Sequence, residues 1–190
     1  MLKFEIKVPL NIEEYKYFQN NKFNKCAINS HINYYYDSKN LELDNLGITY
    51  RIRHSDDKYI ASIKAHQSKN SECSIEVSKK VKNQYDTNYF FEKLNLILQG
   101  SLITNRTVYL SCNNLKIFFD ENIYFDTKDY ELEMHYDLKS EQDAVNFLAY
   151  FSGELYRANL TSSINELQMR RFKLDYKSRR FFTAKYNNTH

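Results

Sequence analysis

The sequence predicts an α+β protein: a closed antiparallel β-barrel, or tunnel, of about eight strands, with a charged interior and helices packed outside. Three observations point there. In Asp129-Tyr130-Glu131-Leu132-Glu133-Met134, carboxylates alternate with apolar residues. Successive strand side chains point to opposite faces, so Asp129, Glu131 and Glu133 share one face. The same two-faced design recurs with basic residues at Lys3 and Lys7 around Glu5, at Arg51 and Arg53, and at Lys64. Like charges on one face repel unless cations lie opposite. Acidic and basic strands that face one another across a lumen meet that condition. The third observation is composition: 17 Tyr and 13 Phe favour strands, while 3 Gly and 1 Pro leave little for linkers or disorder.

The elements follow in order. Leu2 to Val8 alternate, with Lys3, Glu5 and Lys7 on one side, and Pro9 ends the strand. Asn11 and Glu14 have capping-box spacing, opening a helix striped by Ile12, Tyr15, Phe18 and Tyr17 or Phe23. Asn33 to Asp37 reads as a strand. Gly47 turns into the strand Ile48 to Arg53, Ser55-Asp56-Asp57 is a turn, and Tyr59 to Lys64 returns as the second arm of a hairpin. Gln67 to Glu72 reads as a loop and Cys73 to Val77 as a short strand. Asp86 opens a second helix through Phe90, Leu94, Ile97 and Leu98, closed by Gly100 at C′. Leu102 to Ser111 and Leu115 to Asp120 are strands joined at Asn113-Asn114. Asp120 to Asn122 then turns into Tyr124-Phe125 and the acidic strand Asp129 to Tyr136. Ser140 caps a third helix ending at Gly153. Ser163 and Glu166 form a second capping box, opening a helix that carries Leu167, Arg170, Arg171, Phe172 and Leu174. The division expected is one domain over residues 1–174 and a basic C-terminal extension over 175–190, which reads as a solvated helix or a lid.

Composition sets bounds. A chain of 190 residues can bury a real core as one domain. Its 27 Lys and Arg against 24 Asp and Glu leave a formal charge of +3, too balanced to imply nucleic-acid binding. Cys26, Cys73 and Cys112 are odd in number and lack metal-type spacing, which implies a reducing compartment. No run is long enough to span a membrane. The expectation is a cytoplasmic protein, monomer or homodimer, with no membrane partner.

These residues resemble the CYTH superfamily, the triphosphate tunnel metalloenzymes, from Phe4 to about Phe172. The family's opening Glu-x-Glu-x-Lys is similar to Lys3-x-Glu5-x-Lys7, and its Tyr-Tyr-Asp-Thr segment to Tyr35-Tyr36-Asp37-Ser38. Tyr50-Arg51-Ile52-Arg53 resembles its Leu-Arg-Ile-Arg strand, and Ser62-Ile63-Lys64 its Thr-Leu-Lys strand. Glu76, Arg106 and Asp120 match single family positions. Tyr124 to Glu133 resembles the Tyr-Leu-x-x-x-Asp-Tyr-Glu-Leu-Glu run, and Arg171-Phe172 the closing Arg-Phe. Each piece is short, and the specificity lies in their order and spacing. Three positions depart from the pattern. Lys3 replaces the first glutamate, Ser74 and Ser78 flank Glu76 where a second glutamate is expected, and Gln168 replaces a lysine.

The resemblance implies a divalent-metal-dependent hydrolase of a triphosphate, whether inorganic tripolyphosphate or a nucleoside or thiamine triphosphate. Lys7, Arg51, Arg53, Lys64 and Arg106 would hold phosphates, Arg by bidentate contacts and Lys as a point charge. Glu5, Glu131 and Glu133 would hold Mg²⁺ or Mn²⁺, with Glu76, Asp120 and Asp129 in support. Glu5, Lys7, Glu131 and Glu133 would be catalytic. The alternative is a weakened or inactive module that binds triphosphate, polyphosphate, nucleotide or an RNA 5′-triphosphate, because Lys3 adds a cation beside the metal site. ATP cyclisation is the weaker option. Taken singly, the Arg-x-Arg strand reads as a solvated sheet face and the acidic strand as a charged edge. His31, His54, His66 and His135 have no ligand spacing, although His135 continues the acidic face.

Overall fold

The computed structural model describes residues 2–66, 73–87, 95–112, 114–171 and 175–188. Its strands are β1 (Leu2–Leu10), β2 (Ala27–Asp37), β3 (Ile48–Ser55), β4 (Lys58–His66), β5 (Cys73–Val81), β6 (Ile97–Ser111), β7 (Leu115–Tyr124) and β8 (Thr127–Tyr136). The helices among the described residues are α1 (Ile12–Lys22), α2 (Glu42–Asn45), α3 (Glu141–Arg157), α4 (Glu166–Arg170) and α5 (Lys177–Asn188), with a 3₁₀ turn at Leu138–Ser140. None of them is long and apolar enough to cross a membrane.

All strand pairs are antiparallel, in the order β1-β5-β4-β3-β2-β6-β7-β8, and the sheet curls until β1 also meets β8. The two seams of β1 differ. It pairs with β8 from Phe4–Tyr136 through Leu10–Tyr130, but with β5 only at Leu2–Ile75, Lys3–Ser74 and Phe4–Cys73. The expected closed barrel is therefore corrected to a curled eight-stranded antiparallel sheet whose β1–β5 wall is joined at three residue pairs only. In this register β5 beyond Ile75 runs past the start of β1, so that wall is joined only over a short stretch.

The faces follow the alternation. Ile6, Val8, Ile117, Phe119, Leu132 and Met134 point outward and are buried under Tyr15 and Phe18 of α1, Leu148, Phe151 and Leu155 of α3, and Leu167 of α4. Asn11 and Glu14 form the expected capping box. The β3–β4 loop is the two residues Asp56 and Asp57, both at positive φ, as the right-handed twist of a tight hairpin favours.

Several local expectations are corrected. Ile97, Leu98 and Gly100 lie in β6 rather than in a helix, and residues 88–94 of that predicted helix lie outside the described residues. Asp120 to Asn122 continue β7, and the chain turns at Phe125, at φ 49°. Asp137, not Ser140, makes the capping bonds ahead of α3, accepting from Lys139 N and Ser140 N. Gly153 is buried inside α3, which runs on to Arg157. Ser163 and Glu166 form no capping box: Glu166 accepts from Ser162 N and Ser162 Oγ, and Asn165, at the N-cap of α4, makes no side-chain capping bond. The loop 67–72, Asn113, Phe172 and Leu174 lie outside the described residues.

The basic tail is a docked helix. Phe181 and Phe182 of α5 join Tyr35, Leu102 and Tyr124 in a buried cluster at one end of the lumen.

Candidate functional site

Alternation on eight strands brings the predicted charges inward. A cavity of about 110 Å³ is lined by Glu5, Lys7, Arg51, Arg53, Lys64, Glu76, Arg106 and Glu133, all predicted from sequence. Asp120, Glu131 and Asp129 lie on the same face of β7 and β8 but do not line it.

The basic side is built on β3, β4 and β6. Arg51 donates through Nε to Ser62 Oγ at 3.2 Å and through Nη2 to Glu76 at 3.2 Å. Arg53 differs: among the described residues its hydrogen bond runs from Nε to Asn33 Oδ1 at 2.9 Å, and no carboxylate pairs with it. Burial, then Arg51 and Arg106, pushes its guanidinium down to about 9. A buried cation in that position is stabilised by any anion that enters. Lys64 donates to both oxygens of Glu5, at 2.8 and 2.7 Å. Burial lowers its pKa to about 8; Glu5 opposes this and Lys7 adds to it. Arg106 stacks its guanidinium 4.2 Å from the centre of the Phe118 ring and grips Asp120 with two bonds, at 2.8 and 2.6 Å.

The acidic side carries its own cations. Burial opposes the charge on Glu5, but Lys7 (2.5 Å) and Lys64 hold its carboxyl well below the usual range. Glu133 contacts Arg106 at 2.9 Å, Lys177 at 3.1 Å and Lys7 at 3.4 Å, and its carboxyl is likewise held low against burial. Lys177 Nζ also meets Glu131 at 2.7 Å and bonds to Asp120. Arg180 reaches Asp129 at 2.8 Å and bonds to Glu131. His135 Nε2 bonds to Glu133 and lies 3.8 Å from Glu5. Among the described residues, two groups have ligand atoms within 4.8 Å of one another: Glu5, Glu133 and His135, and Asp120, Glu131 and Glu133.

By sequence Lys177 and Arg180 read only as part of the basic tail and Asn33 only as a strand residue, none of them as a site residue. The available signal was Lys177 and Arg180 three apart beside Phe181-Phe182, a spacing that puts both cations on one helical face.

A curled antiparallel sheet whose lumen gathers Arg and Lys side chains beside carboxylates defines the class of fold. Residues 1–159 match the CYTH domain family, and the chain belongs to it. No curated protein is significantly similar in sequence. Among solved structures, a "putative adenylate cyclase" from Bacillus halodurans is similar at 16% identity and TM-score 0.69, over 95% of this chain and 97% of that one. A "putative adenylyl cyclase" from Hippeastrum, described as revealing a dominant triphosphatase activity, is similar at 17% identity and TM-score 0.70, over 96% of each chain. The PH1012 protein from Pyrococcus horikoshii is similar at 16% identity and TM-score 0.56, over 84% and 92%. At these identities the likeness is one of fold.

Proposed function

We propose that the tunnel binds the triphosphate group of a small molecule and hydrolyses its terminal phosphoanhydride with the help of a divalent ion, Mg²⁺ or Mn²⁺. The observation that carries this reading is Arg53, a part-buried guanidinium with no carboxylate partner among the described residues, sharing one cavity with Arg51, Lys64 and Arg106. A linear triphosphate offers several acceptor oxygens in a row. Arg51, Arg53 and Arg106 would take them through paired N–H groups, and Lys64 and Lys7 as point charges. The triphosphatase activity described for the Hippeastrum protein supports the reaction class.

Glu133 shares one group with Glu5 and another with Glu131 and Asp120, and the oxygen donors of these carboxylates suit a hard divalent cation. Such an ion, when bound, would neutralise phosphoryl oxygens and orient water. Glu76 and Asp129 would act in support, Glu76 by fixing Arg51.

A second reading is a module that binds triphosphate without metal. It is favoured by the cations already seated on Glu5, Asp120, Glu131 and Glu133. Phosphate release from tripolyphosphate, ATP, GTP and thiamine triphosphate, each with Mg²⁺, Mn²⁺ or EDTA, tests both. Metal-dependent release that disappears in Glu131→Gln supports hydrolysis. Tight binding in EDTA without release supports the binder, and an RNA 5′-triphosphate is then the next ligand to titrate. Neither release nor binding would sink both readings.

A further inference from the structure

Lys177 is 8% exposed, yet its ammonium lies among three carboxylates from two strands. It meets Glu131 at 2.7 Å and Glu133 at 3.1 Å and bonds to Asp120. Those carboxylates have ligand atoms within 4.8 Å of one another, room for one cation. Burial works against the lysine's charge, but Asp120, Glu131 and Glu133 together raise its pKa above that of a free lysine. The helix that delivers it is held at several points. Phe181 is fully buried, 4.8 Å from the Tyr35 ring and 5.0 Å from the Phe125 ring. Ser178 Oγ lies 2.6 Å from Thr49 Oγ, Arg179 bonds to Asp44, and Arg180 pairs with Asp129 and Glu131.

We propose that Lys177 is the resident counter-ion of the Asp120–Glu131–Glu133 group, and that a divalent cation binds this group only by displacing it. The inference rests on the tunnel reading above only for the identity of the competing ion. An ammonium and a metal ion cannot share these oxygens, because each needs the same lone pairs and two cations at that separation repel. Linkage makes the competition reciprocal: whatever holds α5 in place weakens the metal, and a bound metal loosens α5.

The test is Mn²⁺ binding, followed by the loss of the free-ion paramagnetic resonance signal, which is independent of turnover. Lys177→Met removes the ammonium and keeps an apolar stem. It is expected to bind Mn²⁺ at least tenfold more tightly than the wild type. Because three carboxylates left without their lysine can unfold the chain, a second variant leaves the ion pairs intact. Thr49→Cys with Ser178→Cys places two thiols where the hydroxyls now meet. Oxidation should tether the turn that carries Lys177 and weaken Mn²⁺ binding at least tenfold, and reductant should restore it; the wild type under the same oxidant should not change. Equal affinity in Lys177→Met and wild type, or equal affinity in the oxidised and reduced double variant, would overturn the proposal. Tripolyphosphate titration in EDTA on the same samples decides the phosphate-binding reading separately.

Discussion

Lys64 illustrates how much a residue's neighbours decide. With its pKa lowered to about 8, it is charged at neutral pH and loses its proton as pH rises through that value. A polyphosphate beside it adds negative charge and pulls the pKa back up. Affinity for tripolyphosphate is therefore expected to hold below pH 8 and fall above it, with proton uptake on binding near pH 8.5. Calorimetry in two buffers of different ionisation enthalpy measures that uptake, and Lys64→Met should reduce it, leaving the share that Arg53, lowered to about 9, contributes. The same variant should bind about tenfold or more weakly at pH 7, the scale of one charge-assisted hydrogen bond. Arg170 marks the structural counterpart. Glu14 is fully buried and accepts from Arg170 Nη1 at 2.9 Å and from Asn11 N at 2.8 Å. Arg170→Ala strands that carboxylate, and urea unfolding should show a loss of about 3 kcal/mol with tripolyphosphate affinity unchanged. The sequence showed both charges; their partnership spans 156 positions and belongs to the fold.

At the scale of elements, α5 packs closely against one glycine. Gly100 has φ +144°, and a Cβ there would stand 2.8 Å from Phe181 Cζ. Gly100→Ala meets both a backbone and a side-chain obstacle. Limited proteolysis should cut α5 much faster in this variant, while the β7–β8 hairpin stays protected. Unchanged cleavage would mean that α5 is seated by its ion pairs alone. By sequence Gly100 fits the C′ position of a helix. The register shift between Tyr35 and Tyr36 opposite it shows a bulged strand instead. Apolar residues at Ile97 and Leu98 fit either pattern, and only pairing with β2 distinguishes them.

Across the whole molecule, the lumen is a network of buried ion pairs, and its stability should follow pH. Glu5 and Glu133 are held well below the ordinary carboxylate value of 4.5 by Lys7 and Lys64 and by Arg106 and Lys177. Groups depressed in the folded state contribute stability above their unfolded pKa and lose it as pH falls through the folded one. Urea midpoints measured from neutral pH downward should therefore drop below about pH 4.5. Glu133→Gln should start lower at neutral pH and decline less steeply, since one proton-linked group is gone. A slope identical to that of the wild type would place the acid sensitivity elsewhere.

The sequence by itself determined most of the strands, their two faces and the gathering of Glu5, Lys7, Arg51, Arg53, Lys64, Arg106 and Glu133 in one lumen, but not the start of β6 or the end of β7. Period-two alternation is a local property, and a curled sheet converts it directly into inside and outside. Only the tertiary structure decided which cation meets which carboxylate. Lys177 reaches Glu133 across 44 positions and Asp120 across 57. A basic tail has the same composition whether water or a carboxylate cluster receives it. Docking through Phe181, which no local pattern encodes, brings its lysine into the site.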